Sequence, residues 1–402
     1  MSTNTASRSV AAAVALGLML PWAVAAAPVT VGVLTDMSGD NEAFGGKGSV
    51  TAAEMAVEDF GGSVLGEKIR VISADHQNKP DLGSAIARRW YDTKGVDLIV
   101  DIPVSSIGLA VQEVSRNAKK IVLNSGSSTS RLVEDACSPF GAQWSYDGYS
   151  LAKGVAGTLV KTGAKKWFMI TADYAGGLSV EADMERFLKA AGGEVVGRTR
   201  QPVGTTDFSS ALLLAQASGA DVIGVANFSA DTVNTLKQAQ EFGITAGGQR
   251  LAVFFMSEPQ IHAAGADTFK GLVFVTSYVW NRNDETRAWS QRFFARRGAM
   301  PSDFQASVYS ATLQYLKAVK AAGSRDAVAV MKQIHEMPVD DQYDHGGIVR
   351  ANGSHVHDLY LVQVKGSSEQ SEPWDDMRVI KTIPGNEAFR PLAEERACPL
   401  VR

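Results

Sequence analysis

Residues 29–48 read VTVGVLTDMSGDNEAFGGKG, and this stretch decides the architecture. Val29–Asp36 is an apolar run of strand length, and a Gly-rich loop follows it. Beyond the loop, Val50, Ala53, Met55–Val57 and Phe60 recur at helical spacing. Strand, Gly-rich loop and helix also open nucleotide-binding folds, so the loop must be tested against them. A Walker loop needs G-x-x-x-x-G-K-[ST], with glycines that let amides close on phosphate and a hydroxyl for Mg²⁺. Aligned on Gly46–Lys47, the first glycine position holds Asn41 and the hydroxyl position holds Gly48. A dinucleotide G-x-G-x-x-G fails as well, because Gly46–Lys47–Gly48 runs into Ser49, Val50 and Thr51. The loop is not a phosphate cradle.

Working outward, short apolar runs alternate with helical patterns. Strands are expected at Val29–Asp36, Ile69–Asp75, Asp97–Ile102, Lys120–Asn124, Trp167–Ala172, Val195–Arg200, Asp221–Ala226, Leu251–Met256 and Gly271–Tyr278. GLSVEADMERFLKAAGG reads as a helix stopped by a Gly pair, and DFSSALLLAQASG as one capped by Asp207. Such alternation predicts α/β architecture, with parallel sheets covered on both faces. Two blocks of strand–helix units emerge, 29–145 and 146–276, with no demonstrable repeat between them. After Thr276 come helical patterns at Glu285–Arg297, Ser302–Ala322 and RDAVAVMKQIHEM. A pair of strands, HDLYLVQVK and MRVIKTI, ends the pattern. That tail is too small for a third domain and is expected to complete the first two.

The N-terminus carries Arg8, an apolar run from Val10 to Leu20, and Ala23–Val24–Ala25. It reads as a secretory signal peptide over residues 1–25, followed by an exported, periplasmic chain with no membrane span. With 39 Lys+Arg against 43 Asp+Glu, nothing points to nucleic acid or an anionic membrane. The two cysteines, Cys137 and Cys398, are expected to pair in an oxidising compartment.

In doubly wound sheets, ligands sit beyond the carboxyl ends of the strands. Those ends carry Phe44, then Ser105 and Ser106 in PVSSIG, then Ser125 to Ser130 in NSGSSTS. In the second block they carry Asp173 and Tyr174, Asn227 and Phe228, and Glu258. Alone, a Ser there is commonly a helix cap, an aromatic a packing residue, and Glu258 before Pro259 a helix start. Together, in both blocks, they suit a small polar organic ligand. Helices starting just after several of these ends offer free amides to a carboxylate.

Taken in order, VGVLTDMSG, EAFGGKG, GGSVLGEKIRVISADHQNKP, GVDLIVDIPVSS, WFMITADYAGG, GADVIGVANFS, YSATLQYLKAV and ANGSHVHDLYLVQVKG resemble the type I periplasmic solute-binding proteins of the leucine/isoleucine/valine-binding kind. These serve ABC importers, and the resemblance covers nearly the whole mature chain. It implies two doubly wound lobes joined by three crossings, with a small ligand held in the cleft between them. The crossings are expected near Gln143–Tyr146, Val275–Tyr278 and Gly347–Ala351. Lobe one would comprise 28–145 with 277–349, lobe two 146–276 with 350–385, and 386–402 a tail returning to lobe one. By matched position, the resemblance gives Ser105, Gly126 and Ser128 to a ligand carboxylate and Glu258 to an amino acid's ammonium. Phe44, Trp144, Tyr174, Asn227, Phe228 and Tyr278 would accommodate the rest. A second cysteine near the C-terminus matches a branch whose members often take aromatic or other organic acids. An amino acid is the first expectation and an aromatic or organic acid the alternative. The implied partners are an inner-membrane permease and ATPase, and no cofactor or metal is expected.

An enzyme is the rival class. Its candidate groups are His335–Glu336, Asp344–His345, His355 and His357, the last two possible metal ligands with Asp344 or His345. The plainer reading is a polar turn before a strand. No G-x-S-x-G, H-E-x-x-H or C-x-x-C occurs. A ligand sensor docking on a membrane receptor would use the same cleft.

Overall fold

The computed structural model describes residues 1–2, 27–395 and 397–401. All but the first two residues of the expected signal peptide lie outside these. Among the described residues, no helix is long and apolar enough to cross a membrane.

The opening strand, Val29–Thr35, is buried along its whole length. It therefore lies inside a sheet, between Glu67–Asp75 and Leu98–Asp101. Outward from these come Ser63–Val64 on one side, and Ile121–Asn124 and Gly141–Gln143 on the other. Every pairing is parallel except the hairpin of Ser63–Val64 with Glu67–Asp75. Alternation along the strand splits its side chains between two cores. Val29, Val31 and Val33 pack with Ala52, Met55 and Leu316 from helices Gly46–Phe60 and Asp303–Ala322. Leu34 faces Ile86, Trp90, Ile107 and Val111 from helices Pro80–Thr93 and Ser105–Ala118.

The second lobe repeats the scheme. Its parallel sheet runs Arg250–Val253, Val222–Ala226, Lys166–Ala172, Glu194–Gln201. Beside it, Val273–Thr276, Leu359–Val364 and Met377–Ile383 form an antiparallel sheet, so HDLYLVQVK and MRVIKTI complete this lobe. Strand ends differ from expectation by a few residues. Asp207 was expected as the N-cap, but Phe208 holds that position and Asp207, one residue earlier, accepts the Ser209 amide at 2.9 Å. Phe254–Met256 fall outside the strand they were assigned to.

Trp144 lies in the first core and Tyr146 in the second, Val275 in the second and Tyr278 in the first. The chain leaves the first core after Val349 and rejoins the second at Val356, a span that starts within the expected Gly347–Ala351 and runs past it. The hairpin of His345–Val349 with His355–Val356 carries it across. The tail differs more. Ala388 and Phe389 sit in the second lobe's core, and only afterwards does the chain return to bond Cys398 to Cys137. Arg390 bridges the two lobes on the way, pairing with Glu134 at 2.9 Å and Asp183 at 3.3 Å.

Candidate functional site

The loop after the opening strand is held by its own polar groups. The Asp36 carboxylate accepts the amides of Gly39 and Asn41 at 2.9 and 3.1 Å. The Thr35 hydroxyl accepts the Gly46 amide at 2.8 Å. From helix Asp303–Ala322 and its cap, Gln305 donates to the Gly45 carbonyl at 2.9 Å and Ser302 to that of Phe44. A Cβ at Gly45 would stand 2.6 Å from Thr35 Oγ1 and 2.7 Å from Asp101 Oδ2. Only glycine lets the loop approach the sheet this closely, and the approach turns Phe44 inward.

Phe44 stacks on Phe228 of the second lobe with ring centroids 4.4 Å apart. Phe304 lies 5.4 Å from Phe44 and 5.7 Å from Tyr146. Phe255 and Tyr174 lie 5.5 and 6.4 Å from Phe228. Two rings from lobe one meet four from lobe two, so the structure is closed. Ser229, at φ +53°, also reaches across and donates its hydroxyl to the Asp40 carbonyl. Of the aromatic residues read from the sequence, Phe44, Tyr174 and Phe228 come together here. Phe304 was missed; its only sequence signal is its place at the start of the helical pattern Ser302–Ala322.

Beside the rings lie the hydroxyls. The Ser128 amide donates to Ser105 Oγ at 3.1 Å, and the two hydroxyls stand 3.4 Å apart. A Cβ at Gly126 would fall 2.6 Å from Pro103 Cα and 3.1 Å from the Phe304 ring, which ties this loop to the aromatic cluster. Asn227 donates to Thr235 at 2.8 Å and keeps its carbonyl oxygen buried without a partner. The hydroxyls of Ser125 and Thr129 are likewise buried and unpaired. Buried polar atoms of this kind are costly unless satisfied.

Two assigned residues lie elsewhere. Tyr278 packs in the first lobe's core, its hydroxyl shared with the Thr286 carbonyl at 3.1 Å and Ser290 at 2.9 Å. That hydroxyl is satisfied and is no cleft donor. Trp144 also belongs to that core and donates to Ser310 at 3.1 Å. Glu258 opens helix Glu258–Ala264, fully buried, and among the described residues no hydrogen bond reaches its oxygens. Burial first, and then the neighbouring Asp376, push its pKa well above the usual carboxylate range.

His355 and His357 are buried rather than forming a polar turn. Their ring nitrogens lie 3.0 Å from the Trp144 carbonyl and 2.6 Å from that of Ser145, so the third crossing grips the first. Tyr343 and Trp144 pack against them, which gives the pair a structural role at the hinge.

An open volume of about 230 Å³ remains at the cleft mouth. Phe228 and Tyr174 line it together with Asp40, Asn41 and Ser106 of lobe one and Asp231 of lobe two.

Two α/β lobes that close on an aromatic and hydroxyl-lined cleft place the chain in the hinged, two-lobed class of folds. Residues 28–370 match the periplasmic binding protein family, and the chain belongs to it. A periplasmic binding protein from Burkholderia mallei is 44% identical with a TM-score of 0.89, covering 93% of this chain and 99% of that one. A branched chain amino acid ABC transporter periplasmic ligand-binding protein from Burkholderia xenovorans LB400 is 39% identical with a TM-score of 0.84, covering 93% of this chain and 100% of that one. The Leu/Ile/Val-binding protein homolog 6 of Brucella suis is 26% identical over 227 residues, 56% of this chain. The match spans 57% of that curated relative's length.

Proposed function

We propose that the chain is the periplasmic solute-binding component of an ABC importer, closing its lobes on a small carboxylate-bearing ligand that it delivers to a membrane permease and ATPase. The observation that carries this is Phe44 of one lobe stacked on Phe228 of the other, beside the Ser105–Ser128 pair. The donors there are neutral, and amides at the start of helix Ser105–Ala118 add to them, which suits a carboxylate. Closure changes the protein's outline, and an importer can read that change.

An amino acid is the favoured ligand. The Burkholderia xenovorans relative is named for branched-chain amino acids, and Glu258 is a buried carboxyl in want of a donor. An ammonium would supply both charge and hydrogen bonds. The raised pKa of Glu258 favours the second reading, an aromatic or other organic acid, because a protonated Glu258 needs no cation.

Calorimetry with amino acids and aromatic acids, paired with small-angle scattering, tests both. The expected outcome is a ligand that contracts the radius of gyration on saturation. Binding without contraction would refute the trapping mechanism. Glu258→Gln should weaken an amino acid by about 1.5–3 kcal/mol, the loss of a charge-assisted bond. Unaminated acids binding alone, and unweakened by that change, would give the site to organic acids.

A further inference from the structure

The mouth cavity has an acid on each wall, and among the described residues no lysine, arginine or histidine lines it. Asp231, on helix Ser229–Glu241, is 4% exposed. One of its carboxylate oxygens accepts the Gly204 amide at 3.0 Å. Asp40 stands on the opposite lobe, on an exposed turn, and its carbonyl receives the Ser229 hydroxyl. The floor is Phe228 and Tyr174, the outward faces of the aromatic cluster. At about 230 Å³ the cavity is smaller than a complete drug-sized pocket, which runs from about 300 Å³ upward, and suits one end of a ligand.

We propose that this cavity is a distal subsite for a cationic group, so that the ligand carries a carboxylate at one end and a protonated amine or guanidinium at the other. The inference rests on the proposed carboxylate site and extends it. Closure brings Asp231 and Asp40 together across the mouth, and like charges there oppose it. Burial, the larger cause, and Asp40 raise the Asp231 pKa to about 6, despite the Gly204 amide. A cation between the lobes removes the repulsion and adds charge-assisted bonds to both walls. Closure is thereby linked to the ligand's far end. Phe228 and Tyr174 offer ring faces to the same cation. Asp40 and Asp231 escape sequence reading because neither lies in the residues that the strand-end rule selects.

Calorimetry on the folded full chain would compare lysine, ornithine and arginine with norleucine and benzoate. The cationic amino acids are expected to bind roughly tenfold or more tightly than norleucine. Asp231→Asn should erase that preference, weakening lysine and, because the repulsion that opposes closure is gone, tightening norleucine. Because Asp231 also holds the Gly204 amide, Asp40→Asn serves as a second variant and should reduce the preference without touching that bond. Norleucine or benzoate closing the lobes as well as lysine does would overturn the inference and leave the proposed function standing. A preference for lysine that survives both substitutions would overturn it too. No binding or contraction with any compound in the panel would sink the inference together with the function it rests on.

Discussion

At the scale of single residues, Asp101 shows how the cleft loop constrains the sheet beneath it. It ends a central strand at φ +80°, a left-handed conformation that Asp and Asn tolerate better than most residues. Its carboxyl is fully buried. Burial raises its pKa to about 7, against the hydroxyls of Thr35 and Ser49, and Asp36 pushes the same way as burial. The unfolded carboxyl titrates near about 3.9. Between these values the folded chain holds a proton that the unfolded chain has lost. Stability therefore falls as pH rises through that window and levels off above it. Three pK units correspond to about 4 kcal/mol, an upper bound once solvent penetration is allowed for. Asp303 and Asp341, each raised to about 6 chiefly by burial, act in the same direction. The melting midpoint should drop between pH 5 and pH 8. Asp101→Asn, which keeps the uncharged shape and tolerates the same φ, should flatten part of that slope. An unaltered slope in the variant would show that Asp101 does not carry the proton.

At the scale of elements, the disulfide between Cys137 and Cys398 closes a separation of 261 residues. The chain-entropy account gives about 5 kcal/mol for so long a loop, commonly less in practice. Replacing both cysteines by Ser should lower the melting midpoint, and reductant should lower the wild type to the same value. Equal melting with and without the bond would mean that Arg390 and the buried Phe389 anchor the tail unaided. The long elements were legible because each runs through a sheet or helix of strict period. Val29–Thr35 reads as a strand because both its faces are covered and Val and Leu dominate it, and helix Asp303–Ala322, expected to be amphipathic, reads as a helix although it is buried on nearly every face. Short pieces were not legible. Gly141–Gln143, Val339–Asp340 and Ser63–Val64 carry too few residues to show a period. For the site, position along the chain picked out residues that the structure brings together, Phe44 against Phe228 and Ser105 beside Ser128. It failed for Tyr278, where proximity to a crossing was mistaken for facing the cleft. Phe304 was invisible because it comes from a late helix of lobe one and meets Phe228 only across the closed cleft, and Asp231 because it lies inside the helix that follows the selected strand end.

At the scale of the whole molecule, contacts between the lobes divide by their place. Near the first crossing, the Ser130 amide donates to Ser179 at 3.0 Å and its hydroxyl to Asp183 at 2.8 Å. His355 and His357 clasp the same crossing from behind. At the mouth stand the Phe44–Phe228 stack and the Ser229–Asp40 bond. A hinge moves its far end most, so the mouth contacts separate on opening while those beside the crossing shift little. The open–closed balance should therefore answer to the mouth. Phe228→Ala removes a stacked pair worth about 0.5–1.5 kcal/mol beyond the area it covers. That shifts the closed-to-open ratio by roughly two- to twelvefold, since 1.4 kcal/mol is about a factor of ten. Phe228 is half-buried, with its ring toward the cleft rather than inside a lobe, so the melting midpoint should change little. Ligand affinity should fall with the closed fraction, by up to that factor through closure alone, because only the closed form holds the ligand fully. Scattering from the empty variant reads closure apart from any lost ligand contact, and its radius of gyration should exceed that of the wild type. An empty variant as compact as the wild type would place the closing force elsewhere, with Arg390 and its two carboxylates as the next contact to remove.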